Sequence, residues 1–131
     1  MRISSILFLL AATLSVLGAA AHEAIGAPKV LAPLADSDLP KDVIWLHHFS
    51  WHVGTIAVLT MAALFVAAAR SSGGRTLAKF AIGMSAGFAG LAIGLALFGD
   101  GVLWSTPAPY PWTVIALLGI SGILMHPKAT D

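Results

Sequence analysis

WLHHFSWHVGTIAVLTMAALFVAAAR, Trp45 to Arg70, is the stretch whose reading decides the fold. No Asp, Glu, Lys or Arg interrupts it before Arg70. Counting back from that arginine by the about 20 residues that a helix needs to cross a bilayer places the outer edge of the hydrocarbon near Ser50. His52 then sits just inside the edge, with His47 and His48 at the interface beside Trp45 and Trp51.

The whole chain has the composition that such a span requires. Of its 131 residues 58% are hydrophobic and 10% charged, with a mean hydropathy of +0.90, far from the balance of a soluble domain. It is short enough to be one domain, residues 1–131. There is no cysteine, which excludes disulfides, thiolate metal sites, iron–sulfur clusters and thiol nucleophiles. Any metal must be held by His, Asp, Glu or Met.

Outward from this stretch, three further apolar runs appear. Residues 3–21, ISSILFLLAATLSVLGAAA, reach roughly 28 Å as a helix against a bilayer core of about 30 Å. The same run also has the form of a secretory signal, with Arg2 before it and Ala19-Ala20-Ala21 as a cleavage site. Cleavage there makes His22 a new N-terminus, whose amine and imidazole chelate copper. Residues 22–44 read as a polar loop lying on the membrane surface, with a helical turn near Val30–Leu34 and Ser37 or Asp38 as an N-cap for the second helix.

Beyond Arg70, residues 70–79 read as a short basic turn. A third span, 80–98, follows, then a proline-rich loop over 99–110 edged by Trp104, Tyr110 and Trp112, and a fourth span over 111–126. In the third span Gly83, Gly87, Gly90 and Gly94 share one face, the spacing at which another membrane helix approaches closely. Neither a phosphate-binding loop nor a GxGxxG fingerprint is present.

With spans at 3–21, 48–69, 80–98 and 111–126, the charges sort by side. Arg2, Arg70, Arg75, Lys79 and Lys128 fall on one side, and Glu23, Asp36, Asp38, Asp42 and Asp100 on the other, with only Lys29 and Lys41 among them. The positive-inside rule then predicts an all-α integral membrane four-helix bundle, antiparallel and up-down-up-down, with both termini cytoplasmic in a bacterial inner membrane. Loops 22–44 and 99–110 face the periplasm.

Depth supplies the candidate site. His22 ends the first span and His52 opens the second, so antiparallel helices bring both to the same outer level, joined by Glu23 and His48. His48 and His52, at i and i+4, share a helix face. His47 points away, and His126 reads as a boundary residue. Glu23 is the expected partner of His52, because a polar group at this depth needs one.

Three chemistries are open to such a cluster. Copper or zinc would use His22, Glu23, His48 and His52. Haem b would use His22 and His52 as an axial pair from facing helices. A proton or quinone site needs only His52 with Glu23. Ser50 lies near His52 without an orienting carboxylate, so a catalytic triad is not indicated and no catalytic residue is assigned.

The chain resembles a group of small four-helix bacterial inner-membrane proteins with no established activity. Ala21-His22-Glu23-Ala24-Ile25-Gly26 with Leu31-Ala32-Pro33-Leu34, Trp51-His52 with Thr55, and Tyr110-Pro111-Trp112 carry the likeness. It implies four spans and draws attention to His22 and His52. The expected function is a small membrane protein binding a metal or redox cofactor at its periplasmic face. The alternative is a non-catalytic accessory or scaffold subunit whose glycine face docks a larger complex or a second copy. An enzyme in its own right and a transporter rank below both. The expected partners are the lipid bilayer and either another membrane protein or a second copy, with no nucleic acid.

Overall fold

The computed structural model describes residues 2–71 and 73–125. Among them there is helix and turn but no strand. Four long helices carry the fold: α1, Ile3–Ala21; α2, Lys41–Arg70; α3, Gly74–Phe98; and α4, Tyr110–Leu124. Three helical stretches are long and apolar enough to cross a membrane, namely Ile3–Ala35, Lys41–Arg70 and Gly74–Phe98. The fourth helix is apolar but has 15 residues, ending before the expected boundary at His126, which lies outside the described residues.

The largest departure from the sequence reading follows α1. Instead of passing into a loop at Ala21, the backbone continues through a π turn, His22–Gly26, and two single helical turns, Ala27–Val30 and Ala32–Ala35. Pro28 gives the physical reason. In a regular α-helix its ring would press on the carbonyl of Ala24 and leave that carbonyl without a donor. Widening the preceding turn, so that the Ala27 N–H bonds the His22 carbonyl five residues back, accommodates it.

α2 starts at Lys41, immediately after Pro40, and no side chain caps it. Ser37, one of the expected caps, donates its hydroxyl to the Leu34 carbonyl instead, at 2.7 Å.

Each long helix packs chiefly on two others: α1 on α2 and α4, and α3 on α2 and α4. The contact faces consist largely of small residues. α1 buries Ser4, Ala11, Ala12, Ser15 and Ala19 around Phe8, and α3 buries Ala78, Ala81, Ser85, Ala89 and Ala96. Larger side chains fill the remaining space, with Phe8, Met61, Phe65 and Ile115 wholly enclosed. Phe8 and Phe65 lie with ring centroids 6.3 Å apart.

α4 closes against these rings through its glycines. A Cβ at Gly119 would stand 2.5 Å from Ile82 Cγ1, and one at Gly122 would run into the ring of Phe8. Hydroxyls tie the helices together: Ser5 donates to the Ala69 carbonyl at 3.0 Å and Ser85 to that of Trp112 at 2.7 Å. Large apolar side chains such as Leu17, Ile56, Phe80 and Leu97 face outward. The pattern of small residues inside and large apolar residues outside reverses what water would select.

Gly83, Gly87, Gly90 and Gly94, the expected packing face of α3, take no part in this core. A Cβ added at any of the four would meet nothing within 4 Å. Among the described residues, the seam of α3 is instead its alanine and serine face.

Candidate functional site

The site forms where the π turn after α1 lies beside the middle of α2. In a regular helix consecutive side chains diverge by about 100°. The wider turn reduces that divergence, and the neighbours His22 and Glu23 both reach α2. There they meet Trp51, His52 and Thr55, residues spaced so that one face of α2 presents all three.

Glu23 is the shared acceptor. The Thr55 hydroxyl donates a short hydrogen bond to its Oε1, and His52 Nδ1 lies 3.2 Å from the same oxygen. His22 Nδ1 bonds Thr55 Oγ1 at 3.0 Å and stands 3.8 Å from Glu23 Oε1. The His22 ring also stacks on the Trp51 indole, with centroids 3.9 Å apart and planes within 7°. Gly26 allows this stacking, since a Cβ there would lie 2.9 Å from the far edge of the indole. The Trp51 N–H is buried and has no hydrogen-bond partner among the described residues.

Counting protons fixes the direction of the network. An ionised carboxylate only accepts, and a hydroxyl has a single hydrogen to give. With Glu23 ionised, Thr55 gives its hydrogen to Glu23, so His22 must donate from Nδ1 to Thr55 and His52 from Nδ1 to Glu23. The result is a directed chain from His22 through Thr55 to Glu23, with His52 as a second donor. On both imidazoles Nε2 is left for other partners.

Of the sequence-derived candidates, the fold thus brings together His22, Glu23 and His52, and pairs Glu23 with His52. His48 stays apart. Its ring is 6.5 Å from that of His52 and 5.2 Å from that of Trp45, centroid to centroid. His47 bonds the Val43 carbonyl of its own helix at 3.0 Å and is exposed.

Among the described residues no three of His, Asp and Glu converge as a group able to hold a metal ion. His22 Nδ1 faces Thr55 Oγ1 and His52 Nδ1 faces Glu23 Oε1, so axial ligation of a haem by this pair would have to use the two Nε2 atoms.

Thr55 and Trp51 are site residues that the sequence reading did not assign. Their signal was spacing: Thr55 lies at i+3 from His52 and i+4 from Trp51, on the face already singled out for its histidine.

Beside the cluster, the helices leave a cleft of about 230 Å³. His22 and Thr55 open onto it, and Phe88, Leu91, Leu95 and Trp112 form much of its wall. Phe88 and Trp112 meet edge to face, with centroids 5.4 Å apart.

No protein family, curated protein or solved structure matches the chain. The fold and the cluster therefore define its class directly: an all-helical protein with three membrane-capable stretches and a His–Thr–Glu–His network where two of them meet.

Proposed function

We propose that this chain is a four-span integral protein of a bacterial inner membrane whose work is proton exchange at its periplasmic end, carried by His22, Thr55, Glu23 and His52. Of the three chemistries open to the cluster, the proton or quinone site accords best with the geometry. The observation that carries this reading is the convergence of Thr55 and His52 on one oxygen of Glu23, with His22 bonded to that same Thr55. A connected donor–acceptor chain of this kind moves a proton by small shifts along existing bonds, and histidine titrates in the physiological range.

Ser5 meeting Ala69 while His22 meets Thr55 supports an antiparallel run of α1 and α2. The charge sorting supports cytoplasmic termini. The short α4 spans the about 22 Å of its helix with Trp112 and Tyr110 at its outer end.

Infrared titration of the purified chain tests the reading. The carboxylate band of Glu23 and the imidazole bands are expected to titrate together, and Thr55→Val is expected to uncouple His22 from them. Stoichiometric copper or zinc in the native protein, lost in Glu23→Gln, would replace proton exchange with metal binding at the same residues.

A second reading, an accessory or scaffold subunit, is favoured by one observation: among the described residues, nothing lies within 4 Å of a Cβ placed at Gly83, Gly87, Gly90 or Gly94 of α3. Small residues at this spacing are a membrane-helix docking surface. Cross-linking in native membranes, weakened by Gly87→Leu, is its expected signature.

A further inference from the structure

The cleft beside His22 points to what exchanges the proton. We infer that it binds one aromatic ring carrying a hydroxyl, a lipid-soluble phenol or hydroquinone, through a hydrogen bond from that hydroxyl to His22 Nε2. The inference rests on the proton-exchange reading and adds its ligand class.

Size, wall and polarity each select this occupant. A dry cavity of about 150 Å³ accommodates benzene, so a cleft of about 230 Å³ takes one ring with small substituents. The walls are aliphatic and aromatic, with Phe88 and Trp112 already set edge to face, an arrangement that favours a third ring. Leu91 and Leu95 line the cleft while remaining exposed on the outer surface, so entry is from apolar surroundings.

At the polar end the proton count decides between a donor and an acceptor. His22 Nδ1 is committed to Thr55, and the Thr55 hydrogen is committed to Glu23. What a neutral His22 has left is the lone pair on Nε2, which accepts. A hydroxyl therefore satisfies the site, whereas a carbonyl or an ether oxygen offers it nothing. No electron transfer is part of the inference, since binding requires only the hydrogen bond and the fit.

The test uses the full chain in lipid nanodiscs with two probes of nearly equal shape, tetramethylhydroquinone and its dimethyl ether, kept under argon. Binding is read by quenching of tryptophan fluorescence, with Trp112 in the cleft wall. The hydroquinone is expected to bind saturably and the ether about fivefold to tenfold more weakly, the worth of one hydrogen bond. His22→Phe, which keeps a flat ring on Trp51, is expected to bring the hydroquinone down to the level of the ether. Ala92→Leu, which fills the cleft, is expected to abolish binding of both.

Equal binding of the two probes, binding unchanged in Ala92→Leu, or no saturable binding to the folded native chain would each overturn the inference. Infrared spectra of the same preparation separate the two levels. If imidazole and carboxylate still titrate together, only the ligand assignment has failed; if they do not, the proton-exchange reading falls with it.

Discussion

The two ends of the helical assembly are packed by opposite rules. At one end Phe8, Phe65, Gly119 and Gly122 fit together so closely that a single added carbon would collide. At the other, the helices stop short of each other, and the gap is edged by His22, Thr55, Phe88 and Trp112. Among the described residues, the closed end carries hydroxyls returned to backbone carbonyls, such as Ser5 to Ala69. The open end has three ionisable groups within hydrogen-bonding range of one another or of Thr55. Tight packing and the clustered ionisable side chains thus occupy different parts of the fold.

Substitutions that exchange these rules break the comparison most strongly. Phe65→Ala removes a fully buried ring at the closed end. It is expected to cost about 3 kcal/mol, within the range for large-to-small core changes, read as a lowered unfolding midpoint in detergent. Gly122→Leu forces a side chain into Phe8 and is expected to cost about 2 kcal/mol by overpacking. Ala92→Leu, a comparable enlargement at the open end, is expected to leave the same midpoint within about 0.5 kcal/mol, because the cleft receives it.

At the polar cluster the expected effects are smaller and chemical rather than structural. Glu23→Gln is expected to lower stability by about 1 kcal/mol, because the Glu23 side chain is one-third exposed and water compensates much of the loss. The informative readout is the pair of histidine ring signals, which should both move. His48→Ala serves as the control: His48 meets the rings of Trp45 and His52, not His22, and its loss should leave the His22 signal in place. Gly87→Leu is expected to change the unfolding midpoint least, by under about 0.5 kcal/mol, because its Cβ enters open space among the described residues.

Much of this was legible in the sequence, and the reasons are physical. Long uncharged runs fixed where helices lie, and matched counts from Arg2 and Arg70 brought His22 and His52 to one level. A polar group set below the expected membrane boundary demands a partner, which is why Glu23 could be paired with His52 from the sequence. The π turn was not foreseen, although Pro28 carries the cause: a proline four residues after Ala24 cannot sit in an unbroken α-helix.

The glycines show the limit more sharply. Gly83, Gly87, Gly90 and Gly94 have the textual pattern of a seam, yet the close approach falls at Gly119 and Gly122 on α4. Spacing reveals that a face is smooth, but which face is used depends on where the large partners Phe8 and Phe65 stand. Thr55 stood out only through the resemblance and received no site role, because threonine within a helix ordinarily satisfies itself on its own backbone, as Thr60 does on the Ile56 carbonyl.

The most direct test of the account is the nitrogen NMR spectrum of histidine in the ¹⁵N-labelled full chain. The directed network requires the Nδ1–H form for both His22 and His52 at neutral pH, with both signals shifting in Glu23→Gln and that of His22 alone shifting in Thr55→Val. Finding the proton on Nε2 in both rings, with neither signal responding to Glu23→Gln, would contradict it.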